Sequence, residues 1–221
     1  MSNQYYAIAK LQERLSANSY ARAHVDRIAR AGKALSDVAN ARAGEHPAQH
    51  ATRLGKMSKQ YAEAVQAARA EIEKGEWGGR GALADEFRER CNVNCDQFAS
   101  AIVQRFATAE HKDRVQWLGQ IAEDGDGRSL AALMGAPKFV TGLDPDMLAK
   151  HRDVLEEKHA PDIAEKRRQF DNDVQTAKAV LQAADALAIS VTQATTGDAV
   201  TAAGQIASAE LVFNESLSSE Q

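Results

Sequence analysis

The sequence predicts an all-α protein, an elongated bundle of long helices ending in a C-terminal alanine-rich helical hairpin. Three observations point there. Alanine fills 43 of the 221 positions, and it is the strongest helix former. Only 4 prolines and 14 glycines interrupt the chain, which leaves long intervals without a helix breaker. The alternation of β-branched and aromatic residues that marks strands is missing. Alanine adds little buried area, and aromatics make up only 5% of the chain, so the helices should be slim rods with thin apolar seams.

From Tyr5 to about Ala43 apolar residues recur at Ile8, Leu11 and Leu15, then in a shifted phase at Val25, Ile28, Leu35 and Val38. That pattern predicts one long amphipathic helix, or two nearly collinear ones, with a stutter in the seam. Gly44 to Pro47 breaks it. A second helix is expected from about Gln49 to Lys74, with Leu54, Met57, Tyr61, Val65, Ala68 and Ile72 on one side. Two such rods joined by a short break should pack back on each other.

Gly75, Gly78, Gly79 and Gly81 surround Trp77 in the most glycine-rich stretch and predict a hinge or subdomain boundary. Charge changes at the same place, from +5 up to Arg80 to −9 beyond it, within a net charge of −4. The expected division is therefore a long N-terminal helical hairpin over 1–74, a short-helix region over 82–143 ending in an apolar loop, and a C-terminal helical region over 144–221. Shorter helices are expected over 82–90, 96–109, 112–123 and 128–134. Gly135 to Leu143 reads as a loop carrying Phe139, Val140 and Leu143, which either cap the bundle's own seam or plug a pocket on a neighbour. Asp144 and Pro145 should start a helix as N-cap and first-turn proline, ending near His159, and Pro161 should start the next.

That last helix is expected to run to about Thr195, break at Thr196, Gly197 and Asp198, and return as a final helix to about Leu217. Between Ala179 and Gln221 there is no lysine or arginine, against five acids. A solvated hairpin would normally carry both signs of charge. The expectation is a hairpin covered by copies of itself or by a partner, the alternative being a mobile tail. The predicted contacts are Phe139, Val140 and Leu143 on the loop, with Leu181, Leu187, Ile189, Val191, Ile206, Leu211 and Phe213 on the hairpin.

The residues that could carry chemistry do not assemble into a motif. Cys91 and Cys95 have no second pair to complete a zinc site, and Pro47 interrupts the helical spacing between His46 and His50. Asp124 to Gly135 fails the calcium-loop pattern, with Arg128, Ser129 and Gly135 at its positions 5, 6 and 12. The glycines near Trp77 lack the Gly-Lys-Ser/Thr ending of a phosphate loop, and there is no glycine-flanked serine elbow or His-Glu-x-x-His. No catalytic residue, metal or cofactor is expected, and the protein is read as not an enzyme. Its balanced charge speaks against direct nucleic-acid binding, and no apolar run is long enough to span a membrane. Two cysteines and the lack of an export signal suggest a reducing cytoplasm. Asn214, Glu215 and Ser216 match a glycosylation acceptor that has no bearing in that compartment.

Leu130 to Lys166 reads LAALMGAPKFVTGLDPDMLAKHRDVLEEKHAPDIAEK: a short apolar helix, Ala136 and Pro137, Phe139, Gly142 and Leu143, then a charged helix closing on His159, Ala160 and Pro161. This segment, about a sixth of the chain, resembles one in uncharacterised small helical proteins of tailed bacteriophages and prophages. The resemblance implies a phage origin and a virion or assembly role, and carries no catalytic motif. The expected function is a structural or assembly protein that self-associates and packs on other virion or assembly proteins, present in the host cytoplasm during assembly and then in the virion. The alternative is a small helical module that engages another protein through the hairpin.

Overall fold

The computed structural model describes the backbone of residues 2–41 and 46–218 and the side chains of residues 4–41 and 46–196. Among the described residues every regular element is helical: α1 (Ser2–Arg14), α2 (Arg22–Asn40), α3 (Pro47–Arg90), α4 (Ala99–Thr108), α5 (His111–Asp124), α6 (Gly127–Gly135), α7 (Lys138–Thr141), α8 (Pro145–His159) and α9 (Pro161–Ser218). The all-α class and the long helices are as the composition implies. No described helix is both long and apolar enough to cross a membrane. The contacts divide the chain into two units, Met1–Gly75 with Asn172–Gln221, and Glu76–Asp171.

In the first unit, α1, α2, the first half of α3 and the middle of α9 share one aliphatic core. It includes Ile8, Leu15, Val25, Ile28, Leu35, Val65, Ile72, Leu181, Leu187 and Val191. Each such residue contributes about 1.5–3 kcal/mol on burial. α1 and α2 pack against each other instead of running on collinearly. The polar segment between them makes this possible. Ser16 donates its backbone N–H (3.1 Å) and its hydroxyl (2.5 Å) to the buried Asp173 carboxylate, and Arg22 donates to the Leu15 carbonyl (3.1 Å). α9 is thereby tied to the corner between α1 and α2. Farther along, the Ser58 hydroxyl donates to the Ala188 carbonyl (3.0 Å), and Arg69 meets Asp185 at 2.5 Å.

The second unit is built from shorter helices around Phe87, Phe106, Leu118, Ile121, Leu130, Leu133, Leu155 and Ile163. Gly125 ends α5 in the left-handed region (φ 73°), which glycine adopts without Cβ strain. The His159 ring lies over it, with Nε2 3.0 Å from the Glu123 carbonyl. Lys158 pairs with Glu123. Asp126 caps α6 by accepting from the Ser129 N–H at 3.0 Å. Asp144 caps α8, as expected, by accepting from the Asp146 N–H at 3.2 Å, with Pro145 in the first turn.

Two breaks expected from the sequence are absent. α3 passes unbroken through Gly75 to Gly81, so the predicted hinge is helix. A mid-helix glycine costs only about 1 kcal/mol relative to alanine, which packing readily offsets. Here the packing is specific: a Cβ on Gly75 would lie 2.4 Å from the Tyr20 ring, and one on Gly79 would lie 2.3 Å from the Phe170 ring. Those glycines admit aromatic rings against the helix backbone. α9 likewise continues through Thr196, Gly197 and Asp198, so the expected hairpin is one helix.

Candidate interaction surface

Phe139 is the most exposed large apolar residue among those described, with 88% of its surface open. It stands on α7, a single helical turn that is closely braced. Pro137 fixes the entry, and the Gly142 N–H closes the turn on the Lys138 carbonyl at 2.7 Å. Gly142 has φ 71°, so this closure depends on glycine. The Leu143 N–H donates to the Thr141 hydroxyl at 3.2 Å, and both of those residues are buried. Lys138 Nζ reaches Asp144 Oδ2 at 2.8 Å across the outside. This bond is the main reason the Asp144 carboxyl sits below its ordinary range and the Lys138 amine above its own.

Arg114 on α5 fixes the base of the turn. Its Nε donates to the Ala109 carbonyl (2.8 Å), one Nη to Ala107 (2.6 Å) and the other to Thr141 (3.4 Å). One guanidinium thus binds the C-terminal ends of α4 and α7, whose last carbonyls have no partner within their own helices. The same group lies 5.8 Å from the Phe106 ring centroid, over the unit's core. Phe139 is therefore held on a rigid mount with its ring in water, an arrangement that suits an apolar anchor for a partner.

The other predicted contact residues divide. Leu143 is buried and Val140 half-buried, so this part of the loop covers the chain's own seam while Phe139 alone stands out. Leu181, Leu187 and Val191 lie in the first unit's core; the chain itself covers them, which corrects their assignment as contacts between copies. The sequence could not show this because their cover comes from α1, α2 and α3, distant along the chain. Ile189, on the opposite side of α9, is exposed. Ile206, Leu211 and Phe213 lie outside the residues whose side chains are described.

Residues not singled out as contacts add to the exposed apolar surface of the second unit: Trp77, Phe98, Val115, Met134, Met147 and Val154. A lone tryptophan between glycines was the available signal for Trp77. An open depression of about 440 Å³ is lined by Arg105, Asp113, Gln116, Trp117 and Gln120, with Arg105 5.4 Å above the Trp117 ring. Among the described residues no three His, Cys, Asp or Glu side chains group as metal ligands. Burial pushes the Cys91 thiol up, and the exposed Cys95 donates to the Ala131 carbonyl at 3.4 Å. No family model, curated protein or solved structure matches the chain.

Proposed function

We propose that this protein is a non-enzymatic structural or assembly component that works by binding copies of itself and neighbouring proteins through helical surfaces. The resemblance of Leu130 to Lys166 to small helical phage proteins supports a bacteriophage virion or assembly setting, with synthesis in the host cytoplasm. The observation that carries the reading is Phe139, a fully presented aromatic on a turn braced by Gly142, Arg114 and the Lys138–Asp144 pair. A monomer gains nothing in stability from such an exposed ring, whereas a partner pocket would gain its burial. Light scattering on the purified full chain, with and without Phe139→Asp, tests this. The reading expects the wild type to form assemblies that the variant loses while keeping its helical signal. A wild type that stays monomeric at all concentrations would overturn the self-association part.

A further inference from the structure

The open depression of about 440 Å³ beside α4 and α5 gathers polar side chains that the chain itself leaves unengaged. Asp113, Gln116, Trp117 and Gln120 recur at helical spacing and so share one face of α5, with Arg105 and Ala109 beside them at the end of α4. All six belong to the second unit. Every other arginine of that unit meets a carboxylate or a carbonyl. Among the described residues Arg105 meets only the Trp117 ring, 5.4 Å away, and that ring packs on Phe106 at 5.5 Å. The side chains of Asp113, Gln116 and Gln120 make no hydrogen bond or ion pair among the described residues.

This set of groups suits a flat ring with hydrogen-bonding edges. Guanidinium and indole both stack on planar heterocycles, and Arg105 held over Trp117 keeps its in-plane N–H groups free. Arg105 and Asp113 balance in charge, so an uncharged occupant fits better than an anion or a cation. The Asp113 carboxylate, a turn before Trp117, can accept two neighbouring N–H groups at once. Guanine presents such a pair at N1 and N2, whereas adenine would set its N1 lone pair against the carboxylate. Gln116 and Gln120 carry both donors and acceptors, which can meet the O6 and N7 acceptors of guanine. Acids outnumber bases in this unit, which disfavours the phosphates of a nucleic acid.

We propose that the depression binds a free guanine nucleoside, with the base stacked against the Arg105–Trp117 pair and its N1–H and N2–H donated to Asp113. Equilibrium dialysis of the full chain against guanosine tests this and should show saturable binding. Inosine, which lacks the N2 amine, should bind about tenfold more weakly, since it loses a hydrogen bond to a charged acceptor. Asp113→Asn should weaken guanosine binding about tenfold and remove the difference between guanosine and inosine, whereas a merely structural defect would weaken both alike. Arg105→Ala should weaken both nucleosides together. A guanine-containing single-stranded oligonucleotide should bind no better than guanosine. No saturable binding at millimolar guanosine, adenosine or inosine bound as well as guanosine, or an Asp113→Asn protein that still separates guanosine from inosine would each overturn the proposal. So would tighter binding of the oligonucleotide. Self-association is not required: Phe139→Asp should take up guanosine as the wild type does. A monomeric wild type therefore counts against the assembly reading alone, and loss of guanosine binding against this proposal alone.

Discussion

Around the first unit's seam the large apolar side chains face inward, and among its described residues only Tyr6 and Ile189 stand exposed. The second unit leaves seven in water: Trp77, Phe98, Val115, Met134, Phe139, Met147 and Val154. Composition contributes, since the second unit holds both tryptophans and five of the six phenylalanines. Helix length accounts for Phe98, Met134 and Phe139, whereas Trp77 and Val154 lie in the interiors of α3 and α8. Segments of α1, α2, α3 and α9 run long enough to close a seam from end to end, whereas α4, α6 and α7, with 10, 9 and 4 residues, expose their ends and the apolar residues there. Apolar residues at the ends of short helices, held by groups such as Arg114, are available to a partner in a way that those of a closed seam are not.

The contrast can be broken most severely at Gly127. A Cβ there would lie 1.9 Å from the Cys91 carbonyl, a clash with backbone that cannot rotate away. Gly127→Leu should destabilise the second unit by about 3 kcal/mol or more, seen as an early loss of helical signal in urea. Next comes Leu187→Ala, which empties a fully buried site in the first unit and should cost about 3 kcal/mol. Ile189→Ala, two residues away and exposed, should change stability by less than about 0.5 kcal/mol. Equal effects at the two positions would refute the assignment of a buried and an open side of α9.

A smaller effect is expected at Tyr61, whose buried hydroxyl has no hydrogen-bond partner and would lie 2.8 Å from a Cβ on Gly32. Tyr61→Phe should stabilise the first unit by about 1 kcal/mol in thermal melts. It should also soften the penalty of Gly32→Ala. Burial, with Asp185 nearby, pushes the Tyr61 phenol far above its ordinary range. The unfolded chain therefore releases this proton first, so the wild type should lose stability as pH rises above about 10, and the Tyr61→Phe protein should lose less. Smallest is the turn at Phe139. Asp144 is held below its ordinary range by Lys138, so its contribution is present above about pH 4 and fades as pH falls further. In Asp144→Asn, binding through Phe139 should lose that pH dependence, while melting shifts little because the pair is exposed.

Much of the helix inventory was legible because its signals are local. Asp144 with Pro145, and Pro161, mark helix starts that the structure keeps, and the seam residues Ile8, Leu15, Val25, Ile28 and Leu35 are all buried. The helix runs on through Gly75 to Gly81 and through Gly197, because glycine's penalty of about 1 kcal/mol is too small to end a helix by itself, although the boundary between the two units does fall at Gly75. Of the interaction surface, Phe139 was readable as an apolar residue on a short loop between helices. That Leu143 turns inward, and that Arg114 braces the turn from another helix, was not.

By itself, then, the sequence determined the class of structure and most helix starts, because alanine content, caps and prolines act within a few residues along the chain. The tertiary structure decided which apolar residues are covered and which glycines are required. Those outcomes depend on residues brought together from distant parts of the chain: Asp173 with Ser16, Phe170 with Gly79, and Cys91 with Gly127.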